Sequence, residues 1–314
     1  MTKGIRPLID KQSIEHFLIN SLELNKSKGF DDLVNKILNA EIGIIHNINN
    51  QTLDTPNVRN SAYRADNERW QLRSQIVNNL ITKQRLSDDN KITLRKGGAL
   101  PQTAIQANGE AVILIGLPAS GKSTIASNFA DKLGAVILDS DFAKRMLPEF
   151  NSGGHGANIV HEESSEIIFG FNNIPQNIQI EPLYKKCIDK NYNIIIPKIG
   201  HAPQGIINQC IALNNLGYKV HLALVHLPKQ VATLRALNRF KKSNRYVPLN
   251  IIFDYYSNNP ILSYYFIKAQ YSNLFISMGA ISTYEIDISC IDSLGATPAL
   301  QYPTIEFPLN RINH

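Results

Sequence analysis

The residues with the clearest chemistry are Gly116, Gly121, Lys122 and Ser123, in the stretch GLPASGKS. Their spacing fits G-x-x-x-x-G-K-[ST], with the apolar run AVILI before it and STIASNFADKL after it. A strand-to-helix turn of this kind cradles phosphate. Its glycines let backbone N–H groups turn inward onto phosphate oxygens, at a helix N-terminus whose dipole favours negative charge. Gly116, Leu117, Pro118, Ala119, Ser120, Gly121, Lys122, Ser123 and Thr124 are therefore assigned to a nucleotide, ATP or GTP. Lys122 is the cation for the transferred phosphate, and the Ser123 hydroxyl is the expected Mg²⁺ ligand.

Whether the phosphate goes to water or to another molecule depends on acids at other strand ends. A hydrolase needs a carboxylate or glutamine to position water, yet later apolar runs end in IIIPK and LVHLP. The acid-tipped run is AVILDSD, ending in Asp139 and Asp141. Its expected location is the crevice at the carboxyl edge of the sheet, where ligands bind. Asp141 suits a general base for a substrate hydroxyl. Capping of the following helix is the blander role and is compatible with catalysis. Asp139, on the same strand face, is a candidate to support Mg²⁺ through water. Arg235, Arg239 and Arg245, in ATLRALNRFKKSNRYVP, have the position of lid cations that close over a moving phosphoryl group. Generic surface arginines are the alternative reading.

These side chains need a scaffold, and the pattern supplies one. From Ala111 onward, short β-branched runs (residues 111–116, 135–141, 191–200, 218–228 and 281–289) alternate with helical stretches. The expected helices span residues 123–133, 158–169, 182–190, 204–213 and 229–241. Such alternation argues for an α/β fold: a parallel sheet with helices on both faces. Before it, residues 13–24, 31–45 and 69–86 carry apolar residues at helical spacing. In the third segment Trp70, Ile76, Val77, Leu80 and Ile81 form an apolar stripe suited to core contact. A polar, Gly- and Pro-punctuated stretch precedes Ala111. The expected organisation is a helical N-terminal region, residues 1–100, and a kinase domain, residues 101–314.

Composition narrows the function classes. The chain has 314 residues, 43% of them hydrophobic, and a net charge of +6. That modest basic excess suits phosphorylated ligands and is too diffuse for nucleic acid. Cys187, Cys210 and Cys290 lack metal-like spacing and read as reduced, buried thiols. No apolar signal core opens the chain and no 18-residue apolar run offers a membrane helix. A cytoplasmic protein is expected, with export by machinery that reads other signals left open.

Taken in order, GLPASGKST, LDSDFAKRMLPEF, HEESSEI, a strand ending in Gly200 and LNRF…NRYVP resemble the zeta toxin family of P-loop kinases. The resemblance covers residues 111–248. It implies a sheet-and-helix kinase fold, ATP or GTP with Mg²⁺, and phosphorylation of a sugar hydroxyl of UDP-N-acetylglucosamine. A related branch acts on a ribose hydroxyl of NAD, and a nucleotide-binding interaction protein without phosphotransfer is the reading from another class. The resemblance makes Lys122 the phosphate-binding lysine, Asp141 the catalytic base, and Arg239 and Arg245 the arginines that meet the nucleotide phosphates. Glu162 and Glu163 fall at an acidic helix start that faces substrate, with Glu181 a competing match. It also implies a neutralising protein partner. Two departures stand out. Ala119 replaces a usual glycine, tolerable if its φ is negative. The family's acid-Gly-Thr after the third strand is here Pro197-Lys198-Ile199-Gly200, so Lys198 takes over a substrate contact as a cation.

Overall fold

The apolar runs that alternate with helical stretches assemble into one six-stranded sheet. The computed structural model describes residues 5–47, 49–86, 97–152, 155–175, 178–285 and 288–295. Three helices come first: α1 (Lys11–Asn20), α2 (Phe30–His46) and α3 (Asp66–Thr82). Then follow β1 (Glu110–Ile115), α4 (Lys122–Leu133), β2 (Val136–Ile137), α5 (Ser140–Lys144), α6 (Gly156–Ile159) and α7 (His161–Phe169). The chain continues with α8 (Leu183–Asp189), β3 (Ile194–Lys198), α9 (Pro203–Asn215), β4 (Lys219–His226) and α10 (Lys229–Ser243). A π-helical turn, Ile251–Tyr256, leads to α11 (Asn259–Gln270), β5 (Ser277–Ser282) and β6 (Ser289–Leu294).

Strand order is β2-β3-β1-β4-β5-β6. The first five strands run parallel, and β6 is antiparallel to β5. Because strand side chains alternate, β1 sends Ala111, Ile113 and Ile115 to one face and Val112 and Leu114 to the other. The first set packs with Leu72, Ile76, Val77 and Leu80 of α3 and with Ile207 and Cys210 of α9. The second packs with Ile125, Ala126, Phe129 and Ala130 of α4. Helices thus cover both faces, as the unbroken apolar strands require. This is a P-loop kinase-like α/β fold with a helical N-terminal extension.

The extension is integral to the packing. Full burial of an aliphatic side chain stabilises by about 2 kcal/mol, and α3 commits Leu72, Ile76, Val77 and Leu80 to the core of the sheet, with Ile81 packed against it. The cores therefore cross residue 100. Helices α1 and α2 instead form a second core with Leu237 and Phe240 of α10 and with Tyr246 and Leu249 beyond it. Among the described residues, no helix is long and apolar enough to cross a membrane.

Several elements differ from expectation for local reasons. The second strand is only two residues, because Asp139 leaves the strand to accept a hydrogen bond from the Asp141 N–H as the N-cap of α5. The helix expected over residues 158–169 breaks at Val160 into α6 and α7. The fifth strand begins at Ser277, ahead of the expected ISTYEIDIS, because every residue from Ser277 to Ser282 is buried. Residues 286 and 287 of that stretch lie outside the described residues.

Candidate active site

The central strand β1 ends where the phosphate cradle begins. Gly116 has φ 154°, and a Cβ there would meet the Val225 carbonyl oxygen at 2.5 Å, so the loop is pressed against β4. Gly121 (φ 90°) turns the chain into α4. The first amides of α4 have no intrahelical acceptor and are open to an anion. Ala119 corrects the expectation of a negative φ: it has φ 61°. A left-handed conformation costs a non-glycine residue roughly 1–2 kcal/mol. Ala119 and Leu117 pack with Ile252 and Tyr256 of the π-helical turn, so the strained loop is braced from behind.

Within the loop, the residues divide by role. Ser120 is fully buried; its hydroxyl has no partner among the described residues and its carbonyl accepts from Thr283. Its contribution to a phosphate site is through the loop backbone. Ser123 and Thr124 are exposed on the first turn of α4. Lys122 curls back, donating to the carbonyls of Gly116 (2.7 Å) and Leu117 (2.6 Å). Burial lowers its ammonium pKa to about 8, against the pull of Asp139 and Asp141. A phosphate would offer this lysine the counter-charge it lacks.

Asp139 and Asp141 lie beside Lys122, and their environments push them apart. Burial, reinforced by the neighbouring charge of Asp141, raises Asp139 to about 6. Asp141 is held well below the usual carboxylate range by Lys144, whose ammonium is 3.1 Å away, with Arg245 and Arg239 adding to it against partial burial. Arg245 reaches the other Asp141 oxygen at 3.4 Å. The Asp141 side chain is 45% exposed, so it is ionised and open to a ligand. Arg239 lies in the same field; burial and the nearby Arg245 lower it to about 10, and its Nε has no acceptor among the described residues. Arg235 is turned elsewhere, donating to the Thr283 carbonyl at 2.7 Å. Lys122, Asp139, Asp141, Arg239 and Arg245 therefore form one charged group at the carboxyl edge of the sheet.

The expected substrate contacts separate. Glu162 is exposed on the first turn of α7. Glu163 faces the opposite way, fully buried: Oε1 accepts from Arg69 (2.7 Å) and Arg73 (2.7 Å), and Oε2 from Arg69 and Thr52. Its carboxylate is consumed inside the protein, which corrects the expectation that it faces a substrate. Glu181, exposed, pairs loosely with Lys186 and Lys185 at 3.8 and 4.0 Å. Lys198 ends β3 opposite Ile115, next to the cradle; burial lowers its pKa.

The oxygen donors fit a hard cation. The exposed Ser123 hydroxyl and the Asp139 carboxylate are of the type Mg²⁺ takes. Among the described residues no three His, Cys, Asp or Glu side chains could hold a metal by themselves. A cation here needs nucleotide phosphates to complete its shell, as Mg²⁺ in such sites commonly does.

Two features escaped the sequence reading. Lys144, three residues after Asp141, is on the same helical face and is its nearest cation. Arg69 and Arg73, four residues apart and in phase with the apolar stripe of α3, signalled a buried ionic partner.

A family model described as "Zeta toxin" matches residues 99–261. The solved structure of the PezAT chromosomal toxin–antitoxin system of Streptococcus pneumoniae superimposes with a TM-score of 0.52 at 16% identity, over 81% of this chain and 93% of that one. At that identity the likeness is one of fold. The structure of the AvrRxo1-ORF1:-ORF2 complex gives a TM-score of 0.43 at 16% identity, over 80% of this chain and 72% of that one. No curated protein sequence matches the chain.

Proposed function

Because the chain belongs to the zeta toxin family, whose members are kinase-like phosphotransferases, we propose that it is a small-molecule kinase. In this reading it moves the γ-phosphoryl of ATP or GTP to a sugar hydroxyl, that of UDP-N-acetylglucosamine first among candidates and the NAD ribose second. The single observation that carries the proposal is Asp141: an ionised, half-open carboxylate flanked by Arg245 and Lys144, beside the lysine of a phosphate cradle.

The cradle amides and Lys122 hold the donor's phosphates. Ser123 and Asp139 would hold Mg²⁺, which neutralises charge on the phosphate oxygens when bound. Asp141 accepts the acceptor's hydroxyl proton as that oxygen bonds to phosphorus. The bond from phosphorus to the bridging oxygen breaks, and its electron pair leaves with the nucleoside diphosphate. Arg239, with an unsatisfied Nε, and Arg245, weakly held at 3.4 Å, are free to turn to the phosphates as charge moves. Glu162 and Lys198 are left to contact the acceptor, Lys198 lying in the Pro197–Gly200 segment that replaces the family's acid-Gly-Thr.

The description of the pneumococcal protein as part of a toxin–antitoxin system supports a toxin role and a protein antidote here as well. The test is transfer from γ-labelled ATP and GTP onto UDP-N-acetylglucosamine, other nucleotide sugars, NAD and oligonucleotides. Label on a nucleotide-linked sugar in the wild type, absent in Lys122→Ala, is the expected result, with growth arrest in bacteria following the same pattern. Nucleotide binding without label on any acceptor would support an interaction protein instead.

A further inference from the structure

A cavity of about 420 Å³ opens between the N-terminal extension and the end of α10. One wall is α2, through Lys36 and Asn39; the others come from Phe150, from Phe240 and from Asn244 and Arg245. Arg245 joins this cavity to the candidate active site, because the same guanidinium reaches Asp141 at 3.4 Å and lies 5.9 Å from the Phe150 ring. Asp141 does not itself line the cavity, so a molecule that reaches both would bridge across Arg245. The volume is within the range of small-molecule sites.

The lining has a definite chemistry. Among the described residues it contains no Asp or Glu, and it presents the ammonium of Lys36 and the guanidinium of Arg245. Lys36 pairs with no carboxylate among the described residues; its ammonium sits 4.8 Å over the Phe240 ring and makes one long bond, 3.4 Å, to the Lys241 carbonyl. Its charge is therefore available to an anion. Side-chain amides from Asn39 and Asn244 offer donors and acceptors together, and Phe150 and Phe240 line the cavity with aromatic carbon. Helix α2 is fixed in place as this wall by the buried hydrogen bond from the Tyr246 hydroxyl to Glu41, one residue beyond Arg245.

We propose that this cavity binds the acceptor, and that Lys36 and Asn39 of α2 are specificity-determining contacts for a phosphorylated, ring-bearing part of it. Both residues lie outside the segment shared with the family, residues 99–261. The extension would then choose the acceptor while the shared segment carries the chemistry. The inference rests on the phosphoryl-transfer reading of Asp141, but its test does not.

The test is calorimetric binding to the full chain with the donor cradle saturated by a non-hydrolysable ATP analogue and Mg²⁺. The probes are UDP, UDP-N-acetylglucosamine and NAD, with uridine and free N-acetylglucosamine as uncharged controls. At least one phosphorylated probe should bind the wild type, and Lys36→Ala with Asn39→Ala should weaken it tenfold or more, as expected for loss of a charge-assisted bond. Lys36→Arg should recover most of the loss, and the affinity for the ATP analogue should change less than twofold. The proposal is overturned if no phosphorylated probe binds, if the double variant binds it as well as the wild type does, or if the uncharged controls bind as tightly. Binding lost in the double variant with no transfer to any acceptor would sink the kinase reading and leave the pocket standing. Transfer with an acceptor KM that ignores both substitutions would sink the pocket alone.

Discussion

Two clusters of acids and cations lie near one another in this chain and are built on opposite terms. Around Arg69, charge is sealed. Arg69 is fully enclosed and bonds both Glu149 (2.9 and 3.1 Å) and Glu163, while the Asn60 amide donates to Glu149 at 2.6 Å and Thr52 and Arg73 complete Glu163. Around Asp141, charge is left partly unmet: the carboxylate is half exposed, the bond from Arg245 is long, and Arg239 Nε has no acceptor among the described residues. Buried networks whose carboxylates are fully bonded specify structure, even though Arg73 Nη2 has no partner among the described residues, whereas half-exposed charges in a cleft wait for a ligand. The two clusters are connected, because Glu149 follows α5 and Glu163 belongs to α7, which packs on α5. The sealed cluster thus fixes the helix whose first turn carries Asp141.

The largest effect that could break this contrast is Asp141→Asn. Removing a general base should cost between about 10² and 10⁴ in transfer rate, while nucleotide affinity and the urea midpoint stay close to the wild type. Transfer at the wild-type rate would mean that the open cluster does not accept the proton. A large loss of stability instead would mean that Asp141 is as structural as Glu163.

Next in size is Arg69→Met, a change of similar volume that strips two buried carboxylates of their main cation. Breaking a buried pair from one side typically costs 3–5 kcal/mol, because the remaining charge stays uncompensated. Urea unfolding should report a loss of about that size. A loss below about 1 kcal/mol would show that the sealed cluster contributes little and that the difference between the two is only one of exposure.

The two clusters also differ in how far the sequence discloses them. The cradle, the Asp139–Asp141 pair, Arg239 and Arg245 were legible, though Arg235 turned elsewhere, because phosphate chemistry demands short local spacings: four residues between Gly116 and Gly121, one between the acids. The alternation of apolar runs likewise announced the parallel sheet. What was not legible depends on distant partners. Glu162 and Glu163 are adjacent at a helix start, and nothing local says which points inward; the deciding partner, Arg69, is 94 positions away. The strain at Ala119 was hidden for a related reason, since its positive φ is imposed by a loop held between β4 and the π-helical turn. The antiparallel β6 and the wall formed by α2 are also products of tertiary packing.

The finest test of the contrast is the pH dependence of stability in Glu163→Gln. Burial would raise the Glu163 carboxyl, but its bonds from Arg69, with Arg73 and Thr52, bring it down to about 2, below the ordinary value of 4.5. In the unfolded chain it therefore takes up its proton at a higher pH than in the folded one. The stabilisation is complete above about 4.5 and disappears as the pH falls through that range to about 2. Linkage converts the interval into roughly 3 kcal/mol at most. The wild type should therefore exceed Glu163→Gln in unfolding free energy near pH 7, and the gap should narrow steadily below pH 4.5. A gap that is constant with pH would assign the loss to packing. That result would remove the charge from the sealed cluster's account and leave Asp141 without the electrostatic foil against which its openness is measured.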